Sequence, residues 1–143
     1  MLSFLKEIDE SFPVPLSHKQ HLEDLTEKFV EKATICAEIE NNEICSVVVG
    51  YTNNVVIDMA HVSVVAKRQE YLGRGMAVRL VREFSEIAFS EGLTAVHLYS
   101  DSRNEAAFRI YEKVGFERCV VSSKPRPKDV HLILRLNNSW EEQ

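Results

Sequence analysis

Cysteine is scarce in this 143-residue chain: Cys36, Cys45 and Cys119 are odd in number and lack any close metal-type spacing. That argues against both a disulfide framework and a zinc site, and favours a reducing, cytoplasmic setting. Long apolar runs are missing as well. Glu7, Asp9 and Glu10 put acid charge early in the chain, so neither a signal peptide nor a membrane span is expected. Positive charge is short too. The formal net charge is -5, whereas a nucleic-acid surface needs a clustered cationic face. Only Lys124, Arg126 and Lys128 cluster, and Pro125 and Pro127 between them read as a solvated turn. His18 and His21 stand three apart with no third ligand in view, so no metal is expected.

What is present is ordinary for a globular protein: 45% hydrophobic and 27% charged residues, without repeats or low-complexity tracts. The length suits one domain, 1–143. Leu2, Phe4, Leu5 and Ile8 make a short amphipathic helix that ends before Pro13-Val14-Pro15. A second helix, with Ser17 as its cap, carries Leu22, Leu25, Phe29 and Val30 at helical spacing and runs to about Lys32. Three β-rich runs follow, roughly Thr34 to Glu40, Ile44 to Tyr51 and Val55 to Ala66, separated by Asn41-Asn42-Glu43 and Thr52-Asn53-Asn54. They predict an antiparallel meander.

After Gly75 the period becomes helical, with Ala77, Leu80, Val81, Phe84, Ile87 and Ala88 on one face and Arg79, Arg82, Glu83 and Glu86 on the other; Gly92 ends it. Thr94 to Tyr99 is a strand. Strand, helix, strand implies a parallel pair joined by a right-handed crossover. A further helix spans about Asn104 to Val114, capped by Ser102 with Glu105 or by Asn104 itself, and closes at Gly115. Phe116 to Val121 and Val130 to Leu136 read as a terminal hairpin. The fold class is α/β (α+β), a mixed and mostly antiparallel sheet flanked by helices.

Two stretches carry chemistry. Leu72-Gly73-Arg74-Gly75-Met76-Ala77 joins a strand to a long helix, and its glycines leave N–H groups bare at a helix start. Those groups and the positive end of the helix dipole suit phosphate oxygens, and Arg74 adds a full charge; a plain turn explains the glycines equally well. A dinucleotide fingerprint would need Gly or Ala at Val78, and a P-loop would need Gly-Lys followed by Ser or Thr. In the second stretch, Asn104 to Phe116, Asn104 is either a cap or a polar group aimed at the crevice between the parallel strands. Tyr111, two turns on, is either core or a phenol facing the same crevice.

Together the two stretches resemble the GNAT superfamily of N-acetyltransferases. The later motif matches at Asn104, Ala107, Tyr111 and Gly115-Phe116, and the phosphate turn matches at Gly75 and Ala77; Leu72 stands where the family has Gln or Arg, and Lys67 where an apolar residue is common. The likeness runs from about Ala33 to Phe116. It implies two parallel strands that splay apart to admit acetyl-coenzyme A, with pantetheine pairing to backbone near Val65 and Lys67. It also implies pyrophosphate on Leu72, Gly73, Arg74, Gly75, Met76 and Ala77, and Asn104 steadying the pantetheine arm.

Acetyl transfer from a thioester needs a neutral amine, so a proton must be accepted. On the resemblance, N–H groups near Val65 form the oxyanion hole and Tyr111 protonates the departing thiolate. His61 falls where some family members carry a glutamate base; it is either that base or a packed strand histidine, with Asp58 in reserve. The implied acceptor is a small-molecule amine such as an amino sugar, amino acid or polyamine. A non-catalytic acyl-coenzyme A sensor and an acetyltransferase of protein amines are the alternatives. Oligomeric state, a homodimer included, stays open.

Overall fold

The computed structural model describes residues 1–9, 17, 21–53, 58–68, 75–119 and 129–136. Helix α1 (Leu2–Ile8) buries Phe4, Leu5 and Ile8, and α2 (Leu22–Lys32) buries Leu22, Leu25 and Phe29, as the spacing predicts. Two expectations fail here. Val30 is 64% exposed, because its place beside Phe29 turns it off the buried stripe. Ser17 does not cap α2: its N–H and hydroxyl donate to the Asp9 carboxylate at 2.9 and 2.6 Å, and the helix begins at Leu22.

Strands β1 (Thr34–Glu40), β2 (Glu43–Tyr51) and β3 (Met59–Lys67) form the antiparallel meander. The β1–β2 turn places Asn41 and Asn42 at φ 53° and 63°. That left-handed pair is the tight hairpin geometry asparagine tolerates best. The β2–β3 register passes from Val49↔Val64 to Gly50↔Val62, so Ser63 is an extra residue on β3. This bulge changes the strand's facing: Ala60 and Val62 join the core under one pair of helices, and Val64 and Ala66 join the core under the other.

Helix α3 (Met76–Ser90) leads to β4 (Ala95–Asp101), then α4 (Glu105–Val114), β5 (Glu117–Arg118) and β6 (Asp129–Arg135). The sheet order is β1-β2-β3-β4-β6-β5, with β3 and β4 parallel. The terminal hairpin thus forms with β6 inserted beside β4; Pro13-Val14-Pro15 and the basic proline loop lie outside the described residues. On one face α3 and α4 cover Val48, Ala60, Val62, Val96, Leu98, Leu132 and Leu134. On the other, α1 and α2 cover β2 and β3, through Val47, Val49, Val64 and Ala66, with Ile35 of β1 packed against the same cluster.

Gly50 sits where this packing is closest. A methyl group on it would lie 2.4 Å from the Phe84 ring and 2.7 Å from the His61 carbonyl oxygen. Phe84 is fully buried and the carbonyl belongs to the sheet, so neither moves aside cheaply. Gly50→Ala is expected to destabilise the fold by at least ~1–3 kcal/mol, seen as a fall in the urea midpoint with little change in slope. An unchanged midpoint would show that Phe84 has room to rotate.

Candidate active site

The parallel pair is short. Only Met59↔Ala95, Ala60↔Val96 and His61↔His97 are in register, although β3 continues to Lys67 and β4 to Asp101. The Asp58 carbonyl ties the closed end, accepting from Thr94 N–H at 2.8 Å and from Thr94 Oγ1 at 3.2 Å. Beyond His61 the strands part. The direction of the exposed β3 backbone follows from its bonds to β2: Arg68 N–H donates to Cys45 O at 2.8 Å, and Ala66 O accepts from Ser46 Oγ at 3.1 Å. Those residues turn toward β2, so strand alternation turns the N–H and C=O of Val65 and Lys67 into the gap. The Arg68 side chain donates to Ile44 O at 2.6 Å and pairs with Glu7, anchoring this end of β3.

Helix α3 starts at Gly75, which has φ 70°, a left-handed conformation that glycine adopts without strain. No side chain caps this helix and no acid lies in its first turn, so the N–H groups of Met76, Ala77 and Val78 form an electropositive end. Leu72, Gly73 and Arg74 lie outside the described residues. One cation was missed by the sequence reading: Arg79, assigned there to the solvent face, has Nη1 3.9 Å from where a methyl on Gly75 would be. Its Nη2 also reaches Glu38 Oε1 at 3.5 Å. An arginine four residues after a phosphate-turn glycine is the signal that finds it.

Asn104 caps α4, its Oδ1 accepting from Ala107 N–H at 3.1 Å, which decides between the two predicted caps and commits that oxygen. Gly115, at φ 115°, ends the helix. Tyr111 is buried at 7% exposure against Phe116, with ring centroids 5.6 Å apart. Burial pushes its hydroxyl well above the ordinary phenol range. Tyr111 lines a cavity of about 290 Å³ with Phe108, Glu112, Phe116, Glu117, Arg118 and Leu132. It lies on the α3–α4 side of the sheet, together with Val65.

His61 is on the opposite face, and it is not alone there. Its ring lies 5.0 Å from that of His97, which lies 5.3 Å from His131; Tyr99 stacks on His131 at 4.6 Å and 17°. His131 Nε2 and His97 Nδ1 are hydrogen-bonded at 3.2 Å. Tyr51 stands opposite His61 in the β2–β3 register. Sequence reasoning missed this group because strand register assembles it from residues far apart in the chain. The alternation His97, Tyr99 against Val96, Leu98 was its only local trace. His61 and Tyr111 therefore lie on opposite faces of the sheet, and Asp58 contributes through its backbone. Among the described residues, no group of three or more His, Cys, Asp or Glu has the arrangement of a metal site. None of their helices is long and apolar enough to cross a membrane.

The pattern of one short parallel pair opening beside an uncapped helix start has a counterpart among known proteins. The model of the acetyltransferase (GNAT) family matches residues 1–116, so the chain belongs to this family. It is accordingly an acyltransferase whose acetyl donor is acetyl-coenzyme A. Its fold is shared with the PaiA N-acetyltransferase of Thermoplasma acidophilum, solved with coenzyme A, at TM-score 0.70 and 16% identity over 84% of this chain and 74% of that one. The ribosomal-protein-S18-alanine N-acetyltransferase of Escherichia coli is similar at TM-score 0.70 and 18% identity, over 94% and 86% of the two chains. A GNAT acetyltransferase of Staphylococcus aureus Mu50 gives TM-score 0.75 at 13% identity, over 95% and 90%. No curated protein matches the sequence significantly.

Proposed function

We propose that the protein is a single-domain, cytoplasmic N-acetyltransferase that moves an acetyl group from acetyl-coenzyme A to a primary amine on a small molecule, by direct attack in a ternary complex. The observation that carries this reading is the splayed gap, with the Val65 and Lys67 backbone turned into it and His61 at its closed end. Backbone groups of Val65 and Lys67 pair with the pantetheine amides, and the Val65 N–H supports the thioester oxygen as it gains charge. The pyrophosphate sits on the turn from Leu72 to Ala77, at the bare start of α3, with Arg79 beside it. Asn104 borders the pantetheine arm.

His61 accepts a proton from the acceptor ammonium, leaving a nucleophilic amine. Half-buried His61, His97, Tyr99 and His131 make a small aromatic surface at the same end, which supports a compact acceptor. Cys36 and Cys45 are buried free thiols, consistent with a reducing compartment, and the Cys36 thiol is pushed up to about 11 by burial and by Glu83. A panel of amino sugars, polyamines, amino acids and peptides, assayed for thiol release from acetyl-coenzyme A, tests the reading. Release with small amines supports it. Release with peptides alone moves the acceptor to proteins, and binding without release leaves a sensor.

The raised Tyr111 hydroxyl refines its expected part. A buried phenol stays protonated at neutral pH and can donate to sulfur, but complete transfer to a thiolate of pKa ~8.5 is uphill. Tyr111 thus stabilises the leaving sulfur by a hydrogen bond, and the final proton comes from the attacking nitrogen. Tyr111→Phe is expected to keep acetyl-coenzyme A affinity and lower kcat about tenfold, below the full general-acid range. If affinity collapses with kcat, the hydroxyl positions the cosubstrate. If kcat holds while chemistry limits turnover, Tyr111 is a packing residue.

A further inference from the structure

We propose that His97 and His131 form a proton relay that carries the acceptor's proton from His61 to solvent, a proposal that rests on the acetyl-transfer reading. In that reaction an ammonium and a thioester give an amide, a thiol and one proton. The N–C bond forms and the C–S bond breaks; one nitrogen proton goes to sulfur, and one must leave the site. His61 takes the departing proton first. His61, His97 and His131 are all half-buried on one face, so with an acceptor seated over His61 a proton can be handed along that face instead of past the acceptor.

The geometry provides the path. The His61 and His97 rings are 5.0 Å apart, a separation at which ring nitrogens reach hydrogen-bonding distance once turned toward each other. The bond between His97 Nδ1 and His131 Nε2 joins the two rings, each of which has a second nitrogen able to carry a proton. A proton arriving at His97 Nε2 moves the shared hydrogen across to His131 Nε2, and His131 Nδ1 releases its own. Charge crosses two rings while no heavy atom travels. Tyr99, stacked on His131 at 4.6 Å, fixes the plane of the outer ring.

The surroundings suit the task. No residue of β4 or β6 belongs to the core under α1 and α2, so those helices do not seal this half of the face. Among the described residues, strand register places several ionisable groups on this face, including Cys119, whose N–H donates to His131 O at 2.8 Å. On β2 is Tyr51, with Lys28 of α2 5.5 Å from its ring centroid; on β4 is Asp101, held by Arg103 at 2.7 Å; on β5 and β6 are Glu117 and Arg135. Burial holds the His131 imidazole below its usual range, so at neutral pH it passes a proton on and does not store it.

The test uses the full-length protein in weakly buffered solution with an amine that the wild type acetylates. His131→Phe keeps a ring against Tyr99 and removes the exit; His131→Gln keeps a hydrogen bond to His97 without a transferable ring proton. Both are expected to lower kcat about tenfold or more at pH 6–7, to leave acetyl-coenzyme A affinity intact, and to regain rate with added imidazole, which leaves the wild type unaffected. Wild-type kcat in both variants, or a loss that imidazole does not restore, overturns the relay while leaving acetyl transfer standing. If His131→Phe does not fold, His131→Gln decides alone. Absence of thiol release by the wild type with every amine sinks the acetyl-transfer reading itself, and the relay with it.

Discussion

Gly75→Glu is expected to weaken acetyl-coenzyme A binding at least ~100-fold, since a like-charge contact costs several kcal/mol and each 1.4 kcal/mol is about tenfold. The new carboxylate would cap the bare N–H groups of α3 and lie within reach of Arg79, taking both partners proposed for the pyrophosphate. No described neighbour forbids it, because among the described residues only Arg79 Nη1 lies within 4 Å of the added carbon. The backbone does object: φ 70° costs a side-chain-bearing residue ~1–2 kcal/mol. Gly75→Asn separates the two effects, because asparagine tolerates that conformation and carries no charge. Calorimetry should find the asparagine variant binding far better than the glutamate one. Equal affinities in folded proteins would remove the anion seat from this turn.

His61→Ala should lower turnover by ~10²–10⁴-fold at its worst. The loss has a direction in pH. Below the acceptor's own pKa the amine is protonated and the base does necessary work; above it the amine is already neutral and the variant approaches the wild type. The deficit should therefore shrink as pH rises, with acetyl-coenzyme A affinity unchanged throughout. A pH-rate profile whose acidic limb is the same in both proteins would return His61 to packing and direct attention to Asp58.

Most of the frame was legible in the residues themselves. Thr34–Glu40 and the helix from Met76 fall where β-branched runs and helical spacing put them, and the paired asparagines mark their hairpin. Local signals misled where tertiary contacts won: Ser17 had the chemistry of a cap, but the Asp9 carboxylate claimed it. The extent of the splay could not be read, because a strand ends its pairing without any change in its own alternation. The same holds for the Ser63 bulge, which is a property of two strands. The proposed site draws on two kinds of signal. Val65, Lys67 and His61 came from a motif and a count along one strand, whereas His97 and His131, 34 residues apart, meet only through the β4–β6 register.

Among the described residues, three residue pairs and the bond from Thr94 N–H to Asp58 O are the backbone pairing that joins the β1-β2-β3 half of the sheet to the β4-β6-β5 half. The core under α3 and α4 bridges the halves on one face, but that under α1 and α2 does not reach the second half. A cosubstrate lying between β3 and β4 would then act as a mortar joint, supplying pairing that the polypeptide withholds and tightening the seam where local opening is easiest. Ligand binding to the folded state alone raises its stability by mass action. The working lifetime of the protein would accordingly lengthen as the acetyl donor becomes more abundant.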